Sequence, residues 1–423
     1  MKQLPEAFLK RMQEQLGPSY EAWIRSYEEP PKRGLRFNLK KARKETIEKL
    51  VADWHLRPVP WCAEGYYYEE EGENGVRPGK SPYHDAGVFY IQEPSAMLPA
   101  ERAEVNAGCA VLDLCAAPGG KTTQAAGRAG FVLSNELIKK RALILSSNVE
   151  RMGLSNVIVT SAEPAALSQL FPAFFDRVLV DAPCSGEGMM RRDETAVSEW
   201  SEENVRLCAE RQKEILSRAL PMVKEGGLLI YSTCTFSDAE NREQTKALLL
   251  RNPELCLLSE EQLYPHLAEG EGHYCAVFRK GRKQPAHKAE SGQLEEAKKR
   301  LLAARIPILR CGVEQGKLIV GKHKGERRYE PSHAEMLALS EAELSKKSLN
   351  LFREADALSY LRGESLSLSA IPKDAYALRL PKDSGEGGIF LPVCYDGYPM
   401  GAGKLVGSTV KNHYPKGLRR LGS

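Results

Sequence analysis

The chain has 423 residues, 42% of them hydrophobic and 27% charged, with a formal net charge of +4. At roughly 150 residues per domain that length predicts about three domains, and this balance excludes collagen-like, coiled-coil and disordered chains. The longest stretches without Asp, Glu, Lys or Arg, residues 226–237 and 164–175, are 12 residues each, well short of the roughly 20 that a membrane helix needs.

The opening MKQLPEAFLKRMQEQLG alternates charged and apolar residues and has no unbroken apolar core of a secretory signal. A soluble, cytoplasmic protein is expected. No two of the ten cysteines stand at CxxC spacing, so the pattern suggests neither a zinc site nor a disulfide framework, and most should be buried thiols. Basic residues cluster in three places. Residues 32–49 hold eight Lys/Arg against Glu45 and Glu48, residues 279–288 hold five with no acid, and residues 401–423 carry Lys404, Lys411, Lys416, Arg419 and Arg420 with no acid. Such clusters on a balanced chain point to a polyanionic partner; taken singly, each reads equally well as a solvated face.

In chain order, apolar spacing predicts helices over 6–16 and 20–27, broken by EEPPKRG at 28–34, then short strands and turns to about residue 100. From Cys109 strands and helices alternate: strands over 110–114, 131–135, 156–161, 176–183, 226–234 and 273–280, with helices over 121–129, 139–152, 202–223 and 238–251. That rhythm predicts an α/β, Rossmann-like, mostly parallel doubly wound sheet, whose ligands sit beyond the carboxyl ends of the strands. Residues 279–292 read as a linker, 293–304 as a helix, and 389–401 as a hairpin on the Asp396-Gly397 turn within a β-rich C-terminal stretch.

The residues just after each strand therefore matter most. The first strand runs into DLCAAPGGKTT, Asp113 to Thr123, a glycine-rich turn that lets backbone N–H groups approach a ligand. GxGxxG is absent, and a GxxxxGK[ST] phosphate loop fails because its first glycine would be Cys115. Glu136, Glu163 and Asp181 end the second, third and fourth strands. Acids there repel a triphosphate but suit a neutral-to-cationic nucleoside, and S-adenosylmethionine, a sulfonium, matches. Each acid alone could equally be an exposed loop carboxylate. Strand four runs into DAPCSGEGMMRRD and strand five into STCTFSDAEN, placing Cys184 and Cys234 as candidate nucleophiles at the ligand-facing rim.

These motifs together resemble the RNA cytosine-5 methyltransferase family. YEEPPKRGLRFN, YHDAGVFYIQEPSAM, YEPSHAEMLAL, YLRGE and DGYPMGAGKLVGSTVKNHYPKGLRR are similar to its RsmF branch, the bacterial 16S ribosomal RNA enzymes. The resemblance implies a cofactor loop of Cys115, Ala116, Ala117, Pro118, Gly119, Gly120 and Lys121, with Glu136 on the ribose. Glu163 would lie beside the adenine, where many relatives carry Asp. It implies Asp181 at both cofactor and cytosine, Cys234 as nucleophile and Cys184 in product release.

By the same resemblance, residues 1–105 form an N-terminal RNA-binding or accessory domain and 106–280 the catalytic domain. Residues 281–348 form a linker and first C-terminal domain, and 349–423 a PUA-like RNA-binding domain. The implied partner is RNA, foremost 16S ribosomal RNA or the small subunit, with no metal, DNA or membrane, and a monomer is compatible. The chemistry needs a thiolate to add to cytosine carbon 6, and Asp181, protonated or sharing a proton with ring N3, to stabilise the adduct. It also needs the base extruded from its stack. A DNA enzyme would use the Pro-Cys cysteine itself as nucleophile, and Cys234 argues against it. A transfer-RNA cytosine-5 methyltransferase and a non-catalytic ribosome-assembly factor are the alternatives.

Overall fold

The computed structural model describes residues 4–71, 75–282, 292–320, 327–381 and 388–420. Its centre is an eight-stranded sheet, whose strands are numbered here in chain order: β1 (Ala110–Asp113), β2 (Phe131–Asn135), β3 (Val157–Thr160), β4 (Phe175–Asp181), β5 (Val223–Thr233), β6 (Leu255–Leu263), β7 (His273–Lys280) and β8 (Ile308–Cys311). The spatial order is β6-β7-β5-β4-β1-β2-β3-β8. The first five strands pair in parallel, whereas β6, β7 and β8 are antiparallel to their neighbours. The chain winds outward from β1 in one direction through β2 and β3, and in the other through β4 and β5. The topological switch point lies between β1 and β4, where such sheets bind ligands.

The parallel strands are apolar on both faces because helices cover both. Ala110, Leu112, Leu133, Val178 and Val180 enter one core, and their neighbours Val111, Val132, Leu179 and Ile230 enter the other. Two strands escaped the sequence reading. β6 alternates buried or half-buried with exposed residues as an edge strand does, and β8 is only four residues long.

β8 and the helix Gln293–Ala303 extend the central layer past residue 280. Ala297 and Leu301 are fully buried in the same core as Ala110 and Leu112. Residues 283–291, most of the expected linker and part of the second basic cluster, lie outside the described residues.

The N-terminal stretch divides between two partners. Its four-stranded antiparallel sheet contains Arg33–Phe37 and Phe89–Ile91. Leu35, Phe37 and Phe89 share one core with Leu349, Leu351, Leu391 and Val393 of the six-stranded C-terminal sheet. The helices Glu6–Leu16 and Tyr20–Arg25 instead bury Phe8, Met12 and Trp23 against Met190, Phe236 and Tyr264 of the central layer. The predicted hairpin is present as Ile389–Tyr395 paired with Tyr398–Val406. Its turn residues have φ values of 47° at Asp396 and 82° at Gly397, the positive angles a two-residue turn demands.

Candidate active site

A cavity of about 280 Å³ opens at the switch point. Its walls include Cys115–Pro118, Gly120 and Lys121 after β1, Asp181 after β4, Cys234 after β5 and His273 at the start of β7. The glycine-rich turn is held from behind. Arg141 and Asn148, on the helix Lys139–Arg151, donate to the carbonyls of Ala117 and Pro118 at 3.0 and 2.9 Å. Gly119 has φ 115°, and a Cβ there would stand 3.0 Å from Leu145 Cδ1, so the turn needs glycine on both counts.

Asp181 is the electrostatic centre. Lys121 Nζ lies 2.7 Å from its Oδ2, Ser232 Oγ donates to Oδ1 at 2.8 Å, and His273 Nε2 is 3.4 Å from Oδ1. Burial works to raise the Asp181 carboxyl, but the Lys121 ammonium and the His273 contact outweigh it and hold the group well below the usual carboxylate range. Asp181 is therefore ionised here. Of the two expected forms of Asp181 this favours the one that shares a proton with ring N3, and Lys121 is the nearest group to it. Beneath them Asp113 is fully buried and accepts from Thr122 Oγ1 at 2.6 Å. Its Oδ1 has no hydrogen-bond partner among the described residues, and burial pushes its carboxyl up to about 7.

The two cysteine loops interlock. Cys184 Sγ lies 3.3 Å from Cys234 Sγ. Gly188 N–H donates to the Cys234 carbonyl at 2.9 Å, and a Cβ at Gly188 would stand 3.0 Å from that oxygen. The buried Glu187 accepts from Phe236 N–H at 3.1 Å and from Trp200 Nε1 at 2.8 Å, and pairs with Arg11 at 2.6 Å. The buried Glu240 returns the contact, accepting from Ser185 N–H at 3.0 Å and from Gln212 at 2.8 Å. The hydrogen bond to Cys234, together with burial, raises the Cys184 thiol well above its ordinary value.

Of the sequence-predicted residues, Cys115, Ala116, Ala117, Pro118, Gly120, Lys121, Asp181 and Cys234 share the cavity wall. Gly119 shapes the turn from behind. Cys184 stands behind Cys234. Glu136 is buried beside the site, accepting from Ile138 N–H at 3.0 Å and facing Arg141 at 3.3 Å, while Glu163 is exposed at the head of the helix Pro164–Leu170.

The sequence reading did not single out Tyr90, Gln92, Glu93, Met189 and His273, which also line the cavity. Nor did it find Arg36, which reaches from the N-terminal sheet to the Gly120 carbonyl at 3.2 Å, Thr123 Oγ1 at 2.8 Å and Gln92 Oε1 at 3.2 Å. The signal was available. Arg36 and Gln92 stand in RGLRFN and YIQEPSAM, motifs distinctive enough to mark the branch.

Residues 101–279 match the 16S rRNA methyltransferase RsmB/F family, residues 4–94 the N-terminal domain of 16S rRNA methyltransferase RsmF, and residues 352–420 the methyltransferase RsmF PUA domain. Ribosomal RNA small subunit methyltransferase F of Enterobacter sp. (strain 638) is 33% identical, the match covering 99% of this chain and 96% of that one. Its counterpart in Escherichia coli K12 is 30% identical, covering 99% and 97%. Among solved structures, a methyltransferase homolog protein from Pyrococcus horikoshii superposes with a TM-score of 0.57 at 27% identity, over 65% of this chain and 95% of that one. The chain belongs to the ribosomal RNA small subunit methyltransferase F family.

Proposed function

We propose that this protein transfers the methyl group of S-adenosylmethionine to carbon 5 of a cytidine in 16S ribosomal RNA, through a covalent adduct at Cys234. The observation that carries this reading is the placement of Cys234 on one cavity wall with the Cys115–Lys121 turn and Asp181, with the Cys184 thiol 3.3 Å behind it. The residues suit the cofactor. A cavity of about 280 Å³ is bounded by a glycine-rich turn, a buried carboxylate oxygen of Asp113 lacks a partner among the described residues, and Glu136 stands just after β2. The Cys115–Lys121 turn and Glu136 would hold S-adenosylmethionine, which supplies an electrophilic methyl group on its sulfonium. Glu163, exposed, is a candidate adenine neighbour.

Cys234 forms a bond to carbon 6 of the extruded cytosine, breaking the ring's aromaticity and making carbon 5 nucleophilic. Lys121 and Asp181 face the cavity as a bonded pair that can share a proton with ring N3 and offset the charge on the adduct. Cys184 fits the release step by its coupling to Cys234. Two thiolates 3.3 Å apart repel, so while Cys234 is ionised Cys184 keeps its proton and donates it to that thiolate. Once Cys234 is bonded to carbon, the repulsion is gone, and Cys184 can lose its proton to solvent, the one proton that methyl transfer releases overall, and its thiolate then accepts the proton from carbon 5. Elimination then restores the Cys234 thiolate.

In this reading the partner is 16S ribosomal RNA, or the small subunit carrying it, in the cytoplasm, and the RsmF-type PUA domain suits structured RNA. No helix among the described residues is long and apolar enough to cross a membrane. The test is methyl transfer from labelled S-adenosylmethionine to 16S ribosomal RNA from cells lacking this protein, followed by bisulfite mapping. Label at a single cytidine class is expected. Label in transfer RNA alone would move the substrate, and no transfer to any RNA would overturn the reading.

A further inference from the structure

His273 lines the cavity but has no part in the reaction outlined above. Its side chain is 3% exposed, yet neither imidazole nitrogen has a hydrogen-bond partner among the described residues. Its neighbour Tyr274, equally buried, is satisfied by Thr245 and Glu260 at 2.6 Å each. A buried imidazole with both nitrogens unpaired is unfavourable, whereas a phenyl ring would fill the same space at no polar cost. The reason for a histidine therefore lies in what its nitrogens face, and that is Asp181 Oδ1 at 3.4 Å.

Asp181 has room for this donor. Its Oδ2 is taken by Lys121, and its Oδ1 accepts from Ser232 with His273 standing further off at 3.4 Å; a carboxylate oxygen accepts more than one hydrogen bond. The 3.4 Å separation is longer than a good hydrogen bond, and catalytic contacts of this kind commonly tighten only when substrate is bound. The charged groups around the ring are Lys121 and Asp181 on the cavity side and Glu93 from the N-terminal segment. Burial, with Lys121 adding to it, lowers the imidazole below its ordinary value, so the ring is neutral, with one N–H and one lone pair. Around Asp181 stand Lys121 and His273, with Asp113 and Cys115 on the β1 turn and Cys275 on β7.

Resting on the methyltransferase reading above, we propose that His273 is a positioning residue for Asp181. Its Nε2–H closes on Oδ1 beside Ser232, so that the Oδ2 edge, now on Lys121, is the edge presented to the cytosine. His273 touches neither cofactor nor base in this role and acts only through the carboxylate.

The test compares full-length His273→Phe and His273→Gln with wild type in methyl transfer to 16S ribosomal RNA. S-adenosylmethionine affinity, measured by calorimetry, reports on an intact fold. Phe keeps the ring volume and loses the donor; Gln keeps a donor near the Nε2 position. His273→Phe should lower kcat by about tenfold or more, while KM for RNA and cofactor affinity stay within about threefold, and His273→Gln should recover most of kcat. Unchanged kcat in His273→Phe, with wild type active, would overturn this inference alone. Equal loss in both variants with cofactor binding lost would also overturn it, assigning the residue to packing. An inactive wild type would overturn the function reading and this inference together.

Discussion

The loops carrying Cys184 and Cys234 leave adjacent parallel strands at the same height, since Asp181 on β4 pairs with Ser232 on β5. They nevertheless put their thiols in different places. Cys234 lines the cavity, whereas Cys184 does not. The difference comes from what each loop is tied to. Glu240 and Gln212 draw Pro183 and Ser185 back toward the helix Glu202–Ala219, Gln212 bonding the Pro183 carbonyl at 3.0 Å. Gly188 and Glu187 meanwhile fix the Cys234 carbonyl and Phe236 N–H from the cavity's far side. Two identical side chains thus acquire different chemistry from their anchors, one open to substrate and one held behind it with a raised thiol.

Removing each thiol tests this difference between the two loops most directly. Cys234→Ala should abolish methyl transfer and form no protein–RNA adduct, since the other thiol on the wall, Cys115, is raised by burial and stays protonated. Cys184→Ala should transfer the methyl group and then stall, leaving protein bonded to RNA. A denaturing gel after incubation with RNA and S-adenosylmethionine should show a retarded band for Cys184→Ala only; the reverse pattern would exchange the two roles.

Removing an anchor instead of a thiol should cost stability as well as rate. Glu240→Ala leaves Ser185 N–H and Gln212 without their buried acceptor, and losing such bonds to a charged group costs about 2–3 kcal/mol. Denaturant unfolding should report that loss. Methyl transfer should fall while S-adenosylmethionine affinity holds, because the Cys115–Lys121 turn does not depend on Glu240. An unaltered adduct yield in this variant would mean the Cys184 loop holds its place without the anchor.

Much of this site was legible from local pattern. Each strand-to-helix turn is a continuous run of sequence, so the cofactor turn, Asp181 and both cysteines could be read from DLCAAPGGKTT, DAPCSGEG and STCTFSD. What could not be read is the pairing between distant runs. Nothing near Glu240 in sequence says that it holds Ser185, 55 residues away, and Arg36 meets Thr123 across 87. The missed strands have the same origin. β6 and β8 lie at the sheet's edges, where one-sided pairing and partial burial weaken the apolar run that revealed the central strands.

A pH experiment separates the buried Asp113 from the half-buried Asp181. Asp113 is raised to about 7, so the folded state binds a proton that the unfolded chain releases near pH 4. The stabilisation is complete below about pH 4 and is lost as the pH rises through about 7, by at most about 1.4 kcal/mol per unit. Asp113→Asn should flatten this slope in melting temperatures taken between pH 5 and pH 8. Asp181, held low by Lys121, acts in the opposite sense, contributing stability above the unfolded carboxylate range and losing it only in acid. A slope unchanged by Asp113→Asn would mean that Asp113 is ionised throughout.

The smallest effect is expected where the sequence motif and the structure diverge most. Glu136 and Glu163 end consecutive strands, and resemblance assigns both to the cofactor, but their surroundings differ. The Glu136 carboxylate is buried, fixed by Ile138 N–H and faced by Arg141, so its orientation is set before any ligand arrives. The Glu163 carboxylate is exposed and makes no hydrogen bond or ion pair among the described residues; only its backbone carbonyl is engaged, by Ala166 and Leu167. A free carboxylate must be immobilised to make a contact in water, which leaves little net gain. Glu136→Ala should therefore weaken S-adenosylmethionine binding by about tenfold, the equivalent of one charged hydrogen bond. Glu163→Ala should change it by less than about twofold, and Glu163→Asp no more. Calorimetry on the three variants decides the matter, and a tenfold loss in Glu163→Ala would show that the head of the helix Pro164–Leu170 closes on the cofactor when it binds.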